Sequence, residues 1–301
     1  MSRREGPALA IFLVALASLF LAVPAQAAGR AECNSVSSKI LRRLVPYCVL
    51  LPPSYDADKT QRYPVLYFLH GIGENEQALL HSGGWDLIQD LWDQKQIGEF
   101  VIAAPAGDRT FFINSRDGKV RYQDFLMHEF LPYIESHYRI RAGRHSRGIA
   151  GISMGGYGAL RLALLFPQTF AAVSANSPAL IAKLPHIEMA TTPGESNILA
   201  RMLGSAFGVP FDRAFWDRNN PFTIVRERPR PAGLKIYFDC GTEDSYGFNV
   251  GAQAFRDLLV SRHIPHEFHL YPGAHDWSYF AQHFPASLEF QSDAFGVTPR
   301  K

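Results

Sequence analysis

Short, nearly unbroken apolar runs alternate with stretches of helical period along most of this chain, and that rhythm limits the fold more than any single residue does. The runs Pro64 to Leu69, Phe100 to Gly107, the stretch leading into residue 152, "TFAAVSAN", "KIYFDC" and "HEFHLY" read as strands. Between them, "YQDFLMHEFLPYIESHY" places Phe125, Met127, Phe130 and Ile134 at helical spacing, and "NVGAQAFRDLLVSRH" reads as another helix. Strands this apolar need cover on both faces, which predicts a mostly parallel sheet with helices on both sides. "VPYCVLLPPSY", stopped by Pro52 and Pro53, belongs to an N-terminal strand pair that adds an antiparallel edge. From about 184 to 230, helical fragments such as "ILARMLGSAFG" and "DRAFWDR" interrupt the rhythm and predict an insertion where it could cover a site.

Arg3 and Arg4 precede an apolar run from Ala8 to Val23, then Pro24 and Ala25-Gln26-Ala27. A positive start, a short apolar run and an A-x-A site predict a signal peptide over 1–27, a secreted or periplasmic protein, and one domain over 28–301. The run is short for a retained span, so no stable membrane span is expected after cleavage. The net charge of +2, with basic residues in short groups only, argues against a nucleic-acid partner. Three cysteines permit one internal disulfide; Cys33 and Cys48 flank the N-terminal hairpin and are the expected pair, while Cys240 reads as a buried thiol.

In an open α/β sheet, ligands collect at the carboxyl ends of the strands. "IAGISMGGYG" puts Ser153 there, between a strand and a helix, in a turn tight enough to require Gly151 and Gly155. A serine hydroxyl needs a base, and the base needs a carboxylate to orient it, in chain order Ser, acid, His. His263 ends a helix, and His283 belongs to the C-terminal helical stretch. His266 and His269 share a strand at a spacing of three, on opposite faces, and so cannot chelate one metal. Only His275, in "PGAHDW", follows a strand directly, which makes it the base. For the acid, "KIYFDCGTEDS" offers Glu243 and Asp244 in the loop, Asp239 being inside the strand; periodicity leaves the two loop residues open. The loop "LHGIG" can supply the second oxyanion donor, giving the Ile72 and Met154 amides as the pair. No metal or organic cofactor is called for by this chemistry.

These segments, in this order, resemble the esterase D-like family of α/β-hydrolases, which includes feruloyl esterases, S-formylglutathione hydrolases, siderophore esterases and mycolyltransferases. The resemblance runs through "VPYCVLLPPSYD", "YPVLYFLHGIG", "FLPYIESHYRI", "GIAGISMGGYGAL", "FAAVSANSPAL", "CGTEDS" and "PGAHDW", nearly the whole chain after residue 27. It implies the α/β-hydrolase fold, and in feruloyl-esterase-like members the acid corresponds to Asp244. "HGIG" and "GTEDS" look closest to that branch, whereas "HDWSYF" is similar to the mycolyltransferases and keeps acyl transfer open. The export signal argues against S-formylglutathione hydrolase, a cytosolic thioesterase. The expected activity is hydrolysis of a small-molecule or carbohydrate-linked ester, feruloyl or acetyl, through an acyl-enzyme; a non-catalytic binding protein on the same scaffold is the alternative from another class. Trp85, Phe111 and Trp277, with Phe112 and Tyr279, are the aromatic candidates for the substrate pocket, with ordinary core as the other reading of each. The oligomeric state has no signature in the sequence.

Overall fold

The computed structural model describes residues 28–183 and 198–297. The segment read as an export signal and the first part of the insertion, 184–197, lie outside the described residues. Eight strands form one sheet in the order β1-β2-β4-β3-β5-β6-β7-β8. They are β1 (Arg30–Ser38), β2 (Arg43–Leu51), β3 (Val65–Leu69), β4 (Val101–Pro105), β5 (Arg147–Ile152), β6 (Ala172–Asn176), β7 (Lys235–Gly241) and β8 (Glu267–Tyr271). β1 and β2 are antiparallel to each other, and β2 to β4; every pairing from β4 across to β8 is parallel. In the β1–β2 register Cys33 faces Cys48, and the two form a disulfide. Cys240 is a buried free thiol.

Because side chains alternate across a strand, the apolar runs feed two cores. Val65, Tyr67 and Leu69 enter one; Leu66 and Phe68 enter the other. The second core is closed by α1 (Ala78–His81), α2 (Gly84–Asp93) and the long C-terminal helix. The first is closed by α3 (Tyr122–Phe125), α4 (Leu131–His137), α5 (Met154–Leu165) and helices further along the chain. The sequence predicts one helix across residues 122–138. The structure inserts a π-turn, Leu126–Phe130, between α3 and α4, just ahead of Pro132 in the first turn of α4, which has no amide to donate.

The described part of the insertion contains α6 (Ile198–Phe207), α7 (Arg213–Asn219) and α8 (Pro221–Glu227). It packs against α5: Tyr157 donates to the Asn219 carbonyl at 2.7 Å, and the buried Arg161 guanidinium donates to the Asn219 side chain. α9 (Phe248–Ser261) and α10 (Trp277–Phe295) complete the cover. Among the described residues, no helix is long and apolar enough to cross a membrane.

Candidate active site

Ser153 joins β5 to α5 with φ 55° and ψ −115°, a conformation that L-residues avoid and that the surroundings must enforce. A Cβ on Gly155 would stand 1.9 Å from the Leu69 carbonyl oxygen, and one on Gly151 would stand 2.3 Å from the Gly155 carbonyl carbon. Only glycines let strand and helix approach this closely. The turn is pinned by the Ser153 amide donating to the Asn176 carbonyl at 3.0 Å, and by the Ser153 carbonyl accepting the Tyr157 and Ala179 amides, each at 3.0 Å.

His275 follows β8 and presents Nε2 to Ser153 Oγ at 2.9 Å. Its Nδ1 lies 2.7 Å from Asp244 Oδ2, in the loop after β7. With the proton on Nδ1, the imidazole donates to Asp244 and accepts from the serine hydroxyl, so both bonds are satisfied. Tyr246, Phe248 and Phe280 meet the imidazole edge-on and limit its rotation. Burial opposes charge on Asp244. The hydrogen bond and charge of His275, together with the Tyr246 and Phe248 amides donating to Oδ1, outweigh it and hold the carboxyl below its ordinary pKa. Glu243, the other carboxylate of this loop, is exposed, and its amide donates to the Gly273 carbonyl at 2.9 Å. Only Asp244 therefore meets the imidazole.

The loop after β3 is organised by a residue whose part the sequence does not announce. His70 is fully buried, its Nε2 accepts the Gly107 amide at 2.8 Å, and its Nδ1 donates to the Gly71 carbonyl at 2.7 Å. In a trans peptide the carbonyl and the following amide point in opposite directions, so His70 aims the Ile72 amide away from itself. Neither the Ile72 nor the Met154 amide donates to an acceptor among the described residues. The Gly71 amide does, to Glu74 Oε2 at 2.8 Å.

A cleft of about 240 Å³ opens over Ser153 and His275. Its apolar wall is Ile72, Ile152, Tyr246, Trp277 and Phe280, and its charged lining is Glu74 and Asp276. Of the aromatic candidates, Trp277 lines this cleft. Trp85 and Phe111 do not line this cleft. Trp85 is half-buried beside Trp92, with its ring under Gly29, and Phe111 is buried edge-on to Tyr157 and Phe207. Phe111 and Phe112 have φ of 53° and 56°, and this left-handed pair turns both rings into the core. Tyr279 is buried too, with its hydroxyl donating to Asp239. The insertion, expected over the site, contributes none of the cleft's described residues. Glu74 and Tyr246 line the cleft without any sequence signal, since each depends on how its loop closes, and Phe280 joins them from the first turn of α10.

A model of the family described as "Putative esterase" matches residues 38–290. The chain belongs to this esterase family. An esterase of Mycobacterium tuberculosis is 31% identical over 245 residues, covering 75% of this chain and 51% of the relative. The chain therefore spans about half the length of that relative. An acetyl esterase of Caldicellulosiruptor saccharolyticus is 27% identical over 271 residues, covering 85% of this chain and 95% of that one. Among solved structures, a ferulic acid esterase superposes with a TM-score of 0.74 at 27% identity, over 89% of this chain and 99% of the other. The chain has the α/β-hydrolase fold, with the mostly parallel sheet and helices on both faces that the sequence predicts.

Proposed function

We propose that this protein is a serine carboxylesterase, and the hydrogen-bonded chain from Ser153 through His275 to Asp244 is the observation that carries the reading. Ser153 Oγ attacks the ester carbonyl while His275 Nε2 takes its proton. Asp244 holds the imidazole in the productive tautomer and stabilises the imidazolium that forms. The Ile72 and Met154 amides, the latter at the start of α5, receive the oxyanion. His275 then returns its proton to the departing alkoxide, leaving an acyl-Ser153 ester. Water, deprotonated by His275, attacks that ester, and the imidazolium returns the proton to Ser153 Oγ as its bond to the acyl carbon breaks and the acid leaves.

Family membership and the acetyl and ferulic acid esterases similar to this chain support an acetyl or feruloyl ester, on a small molecule or a carbohydrate, as substrate. The cleft is smaller than the roughly 300–1,000 Å³ of drug-sized sites, which favours the acetyl over the bulkier feruloyl group, with the alcohol left outside. The export-like residues 1–27 and the Cys33–Cys48 disulfide support a secreted or periplasmic location. Ser153→Ala tests the reading: hydrolysis of p-nitrophenyl acetate should fall to background with the circular-dichroism spectrum unchanged. Activity retained by the folded variant would refute it.

A further inference from the structure

Asp239 is fully buried in β7, between the strand's neighbours and the first turns of α10, and the steps above do not use it. Three donors converge on its carboxyl group. The Tyr279 hydroxyl donates to Oδ1 at 2.8 Å; the Asn176 side-chain amide and the Tyr237 hydroxyl donate to Oδ2 at 2.6 and 3.1 Å. Its backbone carbonyl also accepts the Ser177 amide at 2.9 Å.

Two of these donors lead directly to the reacting pair. Asn176 is the residue whose carbonyl accepts the Ser153 amide. Tyr279 lies against the loop that carries His275: a Cβ on Gly273 would stand 2.8 Å from Tyr279 Cδ2. The Tyr279 amide is in turn capped by Asp276, the neighbour of His275, at 3.0 Å. Gly273 closes the circuit, since its carbonyl accepts the Glu243 amide beside Asp244.

We infer that Asp239 is a positioning residue whose carboxylate ties the Ser153 turn, through Asn176, to the His275 loop, through Tyr279. It touches no reacting atom. It fixes the separation of two segments from different strands, on which the 2.9 Å contact between Ser153 Oγ and His275 Nε2 depends. A carboxyl here is an expensive way to fill space: burial pushes its pKa up to about 7 even with Tyr279, Tyr237 and Asn176 donating to it. An apolar residue would pack the same volume without that penalty but could not gather the three donors.

The inference rests on the serine esterase reading, and the full-length chain tests both. Tyr279→Phe keeps the ring against Gly273 and removes only the hydroxyl; Asp239→Asn turns one of the two accepting oxygens into a donor, so it cannot gather donors on both sides. Each should lower kcat on p-nitrophenyl acetate by about tenfold to a hundredfold with KM unchanged. Labelling of Ser153 by a fluorophosphonate should slow in parallel. Because both changes break one link, the double variant should be no slower than the worse single variant. A folded Tyr279→Phe with wild-type kcat and labelling rate overturns the inference, whatever its melting temperature, as does a double variant whose losses multiply. If Asp239→Asn does not fold, Tyr279→Phe decides alone. Wild-type activity that survives Ser153→Ala defeats the esterase reading; Ser153-dependent activity with an unaffected Tyr279→Phe defeats only the role of Asp239.

Discussion

His70 holds the Gly71 carbonyl at 2.7 Å, so a buried imidazole sets the direction of the very next amide, that of Ile72. Its other nitrogen accepts the Gly107 amide, and the two bonds join the loops after β3 and β4. His70→Ala removes both. If the Ile72 amide receives the oxyanion, kcat should fall toward the 10²–10³ loss that follows deletion of one such donor. KM should change less than kcat, because no side chain of the cleft wall is replaced. Steady-state kinetics on p-nitrophenyl acetate checks this, and an unchanged kcat would remove Ile72 from the oxyanion site.

The same imidazole has a stability signature. Burial lowers its pKa from the ordinary 6.5, while hydrogen bonding to the Gly71 carbonyl partly offsets this. The unfolded chain therefore binds a proton at His70 more readily than the folded one does. Stability is intact above about pH 6.5 and is lost as pH falls below it toward the depressed folded pKa. The melting temperature should drop across that interval in the wild type and drop less steeply in His70→Ala. Parallel slopes would show that another group governs the acid limb.

Asp244 acts in a lower window. Burial disfavours its charge, but His275 and two amides hold its pKa below the ordinary 3.8, so its stability contribution is present above that value and lost as pH falls beneath it. Near neutral pH that contribution is intact and a kinetic one adds to it. Asp244→Asn places an amide against His275 Nδ1 and favours the wrong tautomer, so kcat should drop on the order of 10⁴-fold, and the melting temperature at pH 7 should fall as well because the stabilising charge is lost. Glu243→Gln, changed at an exposed side chain in the same loop, should leave kcat near wild type. The reverse pattern would transfer the acid's role to Glu243.

Gly155→Ala probes the turn itself. Its Cβ would stand 1.9 Å from the Leu69 oxygen and 2.7 Å from the His70 oxygen, both backbone atoms that cannot swing aside. Overpacking against backbone should destabilise the fold by about 3 kcal/mol or yield insoluble protein. Urea unfolding of the soluble fraction measures it; a variant as stable as wild type would mean that β3 and α5 sit further apart than described.

Much of this arrangement is legible in the sequence, for identifiable reasons. Ser153 and His275 each follow a strand, and strand ends survive in the sequence as a change of period. Asp244 and Glu243 sit side by side in one loop, so no periodicity separates them; the turn does, by sending the Glu243 amide to Gly273 and the Asp244 carboxylate to His275. Phe111 reads equally as a pocket or a core aromatic because no glycine warns of its left-handed backbone, which turns the ring into the core. The parts played by His70, Glu74 and Asp239 are not legible because their partners are Gly107, Gly71 and Tyr279, contacts that exist only after the loops and α10 close.

Glu74 and Asp276 give the cleft a sign. No lysine or arginine is among its described lining residues, so a substrate carboxylate near Ser153 would meet like charge without a counterion. Glu74 is exposed, but at an ionic strength near 0.1 M the screening length is about 10 Å, long enough for its charge to reach an acyl group in so small a cleft. p-Nitrophenyl hemisuccinate and p-nitrophenyl butyrate make a matched pair, similar in length and differing chiefly in charge. The hemisuccinate should show a kcat/KM about tenfold lower, close to the effect of one moderately screened like-charge contact. Glu74→Gln should narrow the gap, as should about 0.5 M NaCl, which shortens the screening length. The same repulsion would disfavour thioesters of glutathione, which carry two carboxylates, relative to neutral carbohydrate esters. Equal kcat/KM for the two p-nitrophenyl esters, or a gap indifferent to both Glu74→Gln and salt, would mean that substrate charge is not read at this cleft.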